Sequence, residues 1–181
     1  FTVITSSLIA LSQDNLKRRL AFSTIGQLSY IILGVSLLSD FGVTGSILHV
    51  AMHAFGKITL FFCAGAIYVA MHKKYVSELV GIGRKMPITM TAFAIGSLSL
   101  IGIPPTVGFL SKWYILSGAA YGDYYLVIAV IVCSTILNAA YFIPIVYASF
   151  FKPINKEDTD HGEAPTAILI AIILTSALTV A

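Results

Sequence analysis

The chain has 181 residues, of which 57% are hydrophobic and only 10% are charged, and its formal net charge is +3. This composition excludes an ordinary soluble globular domain, and apolar runs longer than about 18 residues predict several membrane crossings. The sequence shows no soluble catalytic domain, nucleotide-binding loop or nucleophile motif. We therefore predict an all-α polytopic helix bundle in a lipid bilayer, with no cofactor, no nucleic-acid partner and no catalytic chemistry of its own.

Apolar runs and the breaks between them predict one transmembrane domain over residues 1–181. The chain opens on Phe1 and ends on Ala181 inside apolar runs, so we interpret it as a fragment that is truncated at both ends. The predicted helices are 1–12 (partial), 16–38, 44–71, 87–102, 106–120, 124–151 and 165–181 (partial). A short turn is expected at 39–42, and a polar loop of mixed charge at 152–164.

The segment 44–71 is long enough to span a bilayer and carries His49, His53 and Lys57 at four-residue intervals. Steps of four place the three side chains on one stripe of a helix, about 6 Å apart along its axis. A lysine near the middle of a spanning helix costs on the order of 2.5–3.5 kcal/mol and is normally tolerated only where it faces protein or water. Two imidazoles beside it can carry a proton either way, so the segment predicts a proton path.

Other interpretations of these residues stay open. The histidines could be packed core residues, whereas Lys57 lies about 13 residues from either end of its segment, too deep to reach the headgroups. Histidines four apart can share a zinc ion, but no Asp, Glu or Cys stands in register, so no metal site is predicted. A different class of function is a membrane anchor of a redox enzyme, in which His49, His53 or His72 ligates haem.

A broken helix is predicted at Pro104-Pro105, which Gly102 and Gly108 flank. Prolines remove backbone donors, and unpaired backbone groups at membrane depth need protein or cavity water. Such breaks recur at ion sites in transporters, and Lys112 follows the break by a turn or two. Lys112 is therefore a second candidate relay residue, with a helix-end lysine near the membrane interface as the alternative.

Basic residues orient the first half of the chain. Those that flank the spans 16–38 and 44–71 are Lys17, Arg18, Arg19, Lys73, Lys74, Arg84 and Lys85. Two crossings return the chain to the side from which it started, and the positive-inside rule makes that side cytoplasmic. From the residues alone, Lys17 is more readily a flanking charge than a relay member.

Three stretches together resemble a known family: DNLKRRLAFSTIGQLSY at 14–30, HVAMHAFGK at 49–57 and IGIPPTVGFLSKW at 101–113. They are similar, in order, to landmarks of the proton-conducting antiporter-like subunits. These are large membrane subunits of respiratory complex I and of the Mrp-type multisubunit cation/proton antiporters. The resemblance covers essentially the whole chain, and the Lys112-Trp113 pair resembles the D-type subunit of the antiporters.

The resemblance implies a fold of 14 core helices with two inverted repeats, of which this chain would be the C-terminal part around the second repeat. It makes Lys57 the central lysine of a half-channel, His49 and His53 its relay neighbours, Lys17 the link between half-channels and Lys112 the outer-side residue. The implied function is proton translocation, with Na⁺ or K⁺ as the exchanged ion where the complex is an antiporter. The implied setting is a bacterial or archaeal cytoplasmic membrane, with other membrane subunits in an antiporter, a hydrogenase or an NADH:quinone oxidoreductase.

Overall fold

The structure is a computed structural model that describes residues 1–153 and 162–180. Within these residues it is helical without a β-strand, which confirms the predicted all-α class. The helices are α1 (Thr2–Ser12), α2 (Leu16–Ser36), α3 (Asp40–Met71), α4 (Pro87–Ile101), α5 (Val107–Tyr121), α6 (Tyr125–Phe151) and α7 (Thr166–Val180). Of the segments predicted above, residues 154–161 of the polar loop and residue 181 of the last helix lie outside the described residues.

The helix α3 begins four residues earlier than the predicted 44, so the expected turn at 39–42 is its N-cap and first turn. Ser39 caps the helix because its side chain accepts a hydrogen bond from Gly42 N at 3.1 Å. Asp40 in the first turn places a negative charge at the positive end of the helix dipole. The preceding helix α2 ends at Ser36 instead of at the predicted residue 38. Two short 3-10 turns, Val76–Glu78 and Ile82–Arg84, lie in the connection between α3 and α4.

Two helices of the described part, α3 and α6, are each long and apolar enough to cross a bilayer, by length and composition. The helices α4 and α5 have 15 residues each, and an ideal 15-residue helix is only about 23 Å long. They form one crossing together, since α4 packs on the second half of α3 and α5 on its first half. Gly96 of α4 contacts Leu60, whereas Gly118 of α5 contacts the start of α3 at Gly42.

The turns divide between two ends of the bundle. At one end, the α1–α2 turn pairs with the segment after α3 through Leu16 N to Lys74 O at 3.0 Å and Val76 N to Asp14 O at 2.7 Å. At the other end, the Phe41 ring stacks on that of Tyr121 at a centroid distance of 5.1 Å. We call the first the basic end, because it carries the basic residues that flank the spans 16–38 and 44–71. The path α2, α3, α4–α5, α6 thus alternates between the two ends.

Small residues allow α3 and α5 to approach closely. A Cβ atom added to Gly45 would lie 2.8 Å from Ile115 Cγ1, and one added to Gly118 would lie 2.7 Å from Ser39 Oγ. Membrane helices associate through such small-residue contacts because lipid provides no hydrophobic driving force between them. The close approach brings the polar stripe of α3 against α5.

Candidate functional site

His49, His53 and Lys57 all lie inside the bundle, with 3%, 7% and 6% of their surfaces exposed. The two imidazole rings stack with their centroids 6.2 Å apart and their planes inclined by 13°. The four-residue spacing therefore produces one buried polar stripe along α3. His53 also interacts electrostatically with Lys57, the next residue along that stripe.

The ammonium of Lys57 is bound by α2. Its Nζ donates to Leu20 O at 2.8 Å and also to the hydroxyl of Ser23. Within the described residues it forms no salt bridge, so neutral oxygen atoms alone solvate it. A lysine held in this way retains a free energy cost of burial that a carboxylate partner would reduce, and it can lose its proton without leaving an unpaired anion behind.

The ammonium of Lys112 is bound by the end of α4. It donates to Leu100 O at 2.9 Å and to Ile101 O at 2.8 Å, and it is only 4% exposed. In a continuous helix these carbonyls would accept from the amides four residues later, which are those of Pro104 and Pro105. Prolines have no N–H, so the two prolines release the two carbonyls that Lys112 then binds. The positive charge of Lys112 also lies at the C-terminus of α4, where the negative end of the helix dipole stabilises it.

Both predicted glycines at the break are required by its geometry. Gly102 ends α4 with a φ of 88°, in the left-handed region, and a Cβ atom there would lie 2.9 Å from Lys112 Cδ. At Gly108 a Cβ atom would collide with the carbonyl group of Ser99. The break thus brings the start of α5 onto the end of α4, which is how Lys112 reaches back to its carbonyls.

Ser111 and Tyr30 link His49, on the polar stripe that also carries Lys57, to the surroundings of Lys112. His49 Nδ1 lies 2.9 Å from the Oγ atom of Ser111, the residue that precedes Lys112 in the chain. The Tyr30 ring lies between the two groups: its centroid is 5.6 Å from that of His49 and 5.1 Å from Lys112 Nζ. A buried row of polar groups therefore runs from Lys57 to Lys112, in which the His53 and His49 rings, 6.2 Å apart, are not hydrogen-bonded directly.

Gln27 of α2 joins the same row, since its Nε2 donates to Leu100 O at 3.3 Å and so shares that acceptor with Lys112. Three buried atoms along the row have no hydrogen-bond partner within the described part of the chain: Gln27 Oε1, His49 Nε2 and His53 Nδ1. Buried polar atoms are otherwise paired with protein or ordered water. The row therefore offers hydrogen-bonding sites for water next to each histidine.

A cleft of about 210 Å³ between α5 and α6 reaches the side chain of Lys112. Its walls are mainly apolar, with Trp113 and Leu116 from α5 and Ile131 from α6, and Thr135 adds a hydroxyl. The cleft places Lys112 next to space that connects with the outside of the described bundle.

Lys17 lies apart from this row. It is exposed at the basic end, with its Nζ 5.3 Å from the Tyr68 ring centroid, and lines a pocket of about 280 Å³ together with Lys73 and Lys74. The structure does not bring it into contact with His49, His53, Lys57 or Lys112, and its role as a link stays a prediction.

Four groups that bind the lysines or bridge them were not among the predicted relay residues: Ser23, Gln27, Tyr30 and Ser111. A signal existed for the first three, because they occur at i, i+4 and i+7 and therefore share one face of α2. Among the described residues, no group of three or more His, Cys, Asp or Glu side chains could hold a metal ion.

Comparison with known proteins identifies the family. The profile of the family described as "NADH:quinone oxidoreductase/Mrp antiporter, TM" matches residues 1–138, most of the chain. The chain belongs to this family. It is therefore an integral membrane protein of the antiporter-like class, and the resemblance predicted from its three motifs is confirmed.

Relatives of this family member occur in several complexes. NADH-quinone oxidoreductase subunit N of Desulforudis audaxviator is 40% identical over 83% of this chain and 30% of its own length. NAD(P)H-quinone oxidoreductase chain 4 2 of a Synechococcus strain is 31% identical over 89% of this chain and 31% of its own. The chain thus spans about a third of the length of these curated relatives.

Solved structures agree in fold. A chain of the archaeal membrane-bound sulfane sulfur reductase superimposes with a TM-score of 0.91 at 27% identity, over 99% of this chain and 30% of that one. A chain of the Mrp complex from Dietzia gives a TM-score of 0.88 at 23% identity, over 99% of this chain and 41% of that one. The antiporter-like fold is therefore established for the described residues, as part of a larger fold.

Proposed function

We propose that this chain is the ion-translocating part of a proton-conducting subunit in a multisubunit membrane complex. The observation that carries the proposal is the buried row between two lysines, each bound by neutral oxygen atoms instead of a carboxylate. Structural lysines at this depth are rare because burial is costly, and intramembrane charged groups typically mark ion or proton paths. The row uses four of the five residues that we predicted for a relay; Lys17, the fifth, lies apart from it.

Proton transfer along the row requires each group to release one proton as it accepts another. A proton that leaves the Lys57 ammonium is taken by the neutral ring of His53, passes to His49 and is accepted by neutral Lys112. Water bridges the roughly 6 Å steps, which are too long for direct hydrogen bonds between the rings. Because imidazole has a donor and an acceptor nitrogen, each histidine can accept a proton on one nitrogen and release one from the other.

The histidine geometry favours this relay over a haem-ligating anchor. A bis-histidine haem formed by His49 and His53 would require their nitrogens to approach one iron from opposite sides, whereas the two rings lie stacked on one helix. In addition, His49 Nδ1 is engaged with Ser111. Both features suit transfer along α3 better than ligation.

The partners that we propose are protons, other membrane subunits and the bilayer, with Na⁺ or K⁺ as the exchanged ion in an antiporter. The names of the relatives support two settings: a subunit of an NADH:quinone oxidoreductase or related respiratory complex, and an Mrp-type antiporter. The D-type subunit of the antiporters stays our prediction from the Lys112-Trp113 pair, in a bacterial or archaeal cytoplasmic membrane. The chain itself carries out no redox chemistry in either setting.

The test is proton uptake into vesicles that contain the full-length protein in its complex. Lys57→Ala should lower the rate at least about 100-fold with normal assembly on native gels, since the row loses its proton carrier. Lys57→Arg should also fail because a guanidinium does not release its proton. Lys152→Ala, which changes an exposed lysine, is the matched control and should transport normally. Near-normal rates with either Lys57 variant would overturn the proposal.

A further inference from the structure

The pocket of about 280 Å³ at the basic end is a second polar site, which lies apart from the buried row. It is formed where the start of α2 meets the end of α3, and Leu16 and Tyr68 are among its lining residues. Three lysines also line it, Lys17, Lys73 and Lys74, and no carboxylate does so in the described part of the chain. The walls of the pocket are therefore positively charged.

Tyr68 holds two of these ammonium groups at the pocket. The Nζ atoms of Lys17 and Lys74 lie 5.3 Å and 5.1 Å from the centroid of its ring. The quadrupole of an aromatic ring attracts a cation over its face, so Tyr68 favours both positions. Two positive charges that share one ring also repel each other, and an anion that contacts both would relieve this repulsion.

The carboxylates of the neighbouring turns are engaged elsewhere. Asp14 accepts hydrogen bonds from Ser77 N at 3.1 Å and from Ser77 Oγ at 2.8 Å. Glu78 Oε2 accepts from two backbone amides at 2.9 Å and 3.0 Å. Within residues 1–153 and 162–180, the ammonium groups of Lys17 and Lys74 contact the aromatic ring and form no ion pair. Both charges are therefore available to an anionic ligand.

The helix surfaces that lead from the pocket towards the bilayer centre are apolar and exposed. On α3, Phe61 precedes Tyr68 by seven residues, so it lies on the same face of the helix, and it is 38% exposed. On α2, Leu28 follows Lys17 by about three turns on the same face and is 47% exposed. Hydrocarbon chains suit such faces. The ligand that fits both surfaces therefore combines an anionic headgroup with acyl chains.

We propose that this pocket binds the phosphate of an anionic phospholipid, with Lys17 and Lys74 as its charged ligands and the acyl chains along the exposed faces of α2 and α3. Basic pockets between membrane helices on the cytoplasmic side are typical places for such headgroups, and the basic end is the side predicted to be cytoplasmic. Ammonium groups bind phosphate through charge-assisted hydrogen bonds to its oxygens. The site is separate from the buried row, so the proposal does not depend on proton translocation.

The experiment is photo-cross-linking of the full-length protein in its complex, reconstituted in phosphatidylcholine that contains a small fraction of photoreactive phosphatidylglycerol or photoreactive phosphatidylcholine. Mass spectrometry locates the cross-linked peptides. Phosphatidylglycerol should label the segments 16–28 and 61–74 at least about five-fold more than phosphatidylcholine, whose choline cation opposes binding to lysine. Lys17→Gln/Lys74→Gln should lower this labelling about 30-fold, about five-fold for each lysine, at normal assembly on native gels.

The matched control is Arg18→Gln/Arg84→Gln, which removes two positive charges from exposed residues of the basic end that do not line the pocket. Its labelling should equal that of the parent. An equal loss in this control, or equal labelling by the two lipids, would overturn the site because diffuse surface charge would explain either result.

Two further measurements distinguish other occupants of the pocket. A carbodiimide that joins Lys74 to a carboxylate of another subunit, in a complex that phosphatidylglycerol does not label, would assign the pocket to an acidic protein segment. Protection of Lys17 and Lys74 from acylation by inorganic phosphate, again without labelling by the lipid, would assign it to a soluble phosphate. Either result would overturn the proposal of a lipid site.

Discussion

At the scale of single residues, the two lysines illustrate how a bilayer protein retains a buried cation without an acid beside it. Lys57 uses a carbonyl within α2 and a serine hydroxyl, whereas Lys112 uses the carbonyls at the end of α4. In both cases the ligands are fixed by the backbone or by a helix-bound side chain, so little reorganisation accompanies gain or loss of a proton. The intervening histidines carry the unpaired nitrogen atoms at which water can bind.

The stripe of α3 leads to a prediction about the histidines. His49→Ala and His53→Ala should each reduce proton uptake about two- to five-fold, because water can occupy one vacated position and restore a hydrogen-bonded connection. The double variant should lose more than the product of the single losses, because adjacent groups in one network are coupled. Uptake rates of the three variants in vesicles measure this.

A suitable control for these variants is His72→Asn. His72 is exposed at the C-terminus of α3 with a φ of 53°, a conformation that asparagine tolerates. It should transport like the parent. If the double variant His49→Ala/His53→Ala also does so, the histidines are packing residues and the path does not run along α3.

At the scale of elements, the central feature is the crossing made by α4 and α5 against α3. Gly56 of α3 faces Leu100 near the end of α4, and Gly45 faces Ser111 and Ile115 of α5. The break therefore lies beside the part of α3 that carries the histidines. Interrupted helices expose backbone dipoles at membrane depth only where a partner satisfies them, and here Lys112 is that partner.

Replacing both prolines tests whether the break serves transport. Pro104→Ala/Pro105→Ala supplies the two N–H groups that a continuous helix would offer to Leu100 O and Ile101 O. Lys112 would then lose its acceptors, and we expect proton uptake to fall at least about ten-fold at near-normal assembly, as two hydrogen bonds to a charged group are lost. Uptake against pH, with assembly checked on native gels, measures both effects.

Pro144→Ala is the matched control, since Pro144 is exposed inside the continuous helix α6. It should leave transport unchanged. Loss of assembly by the Pro104→Ala/Pro105→Ala variant, with normal specific activity in the complex that remains, would mean that the break is architectural. Lys112 would then have to be removed from the proposed path.

At the scale of the whole molecule, the bundle has a charge asymmetry between its two ends. The basic residues that flank α2 and α3 gather at the basic end, whereas the turns at 36–44 and 119–127 contain no lysine or arginine and carry Asp40 and Asp123. The positive-inside rule then predicts that the basic end faces the cytoplasm. Because α4 and α5 make one crossing, the same rule also orients the second half of the chain.

Cysteine labelling in sealed vesicles tests this orientation. In a full-length variant in which every cysteine, Cys63 and Cys133 included, is replaced by alanine, Arg84→Cys should react with a membrane-impermeant maleimide only from the cytoplasmic side. Tyr125→Cys, at the exposed start of α6, should react only from the opposite side. The cysteine-free parent is the control. Labelling of both positions from one side would contradict the single broken crossing.

What the sequence determined by itself is the class and the local chemistry. Hydrophobic run lengths specified a membrane bundle, and the four-residue spacing specified that His49, His53 and Lys57 share one face. The diproline specified the break, since two successive prolines remove two neighbouring backbone donors and disfavour helix before them, whereas the single Pro144 is accommodated inside α6. Three ordered motifs were enough for the family. All of these follow from short-range periodicity or from backbone chemistry, which a sequence states directly.

Only the tertiary structure decided what those residues meet. Ser23 and Leu20 bind Lys57 across more than 30 positions of sequence, and Ser111 is 62 positions from His49. Periodicity identifies the face of a helix but not the helix that packs against it, so these ligands could not be chosen beforehand. For the same reason, the motif around Lys17 matched that of the family but did not reveal that Lys17 lies at the basic end, away from the row. The position of Lys112 against α4 likewise depends on how tightly glycines let α4 and α5 pack, which is a property of the assembled bundle.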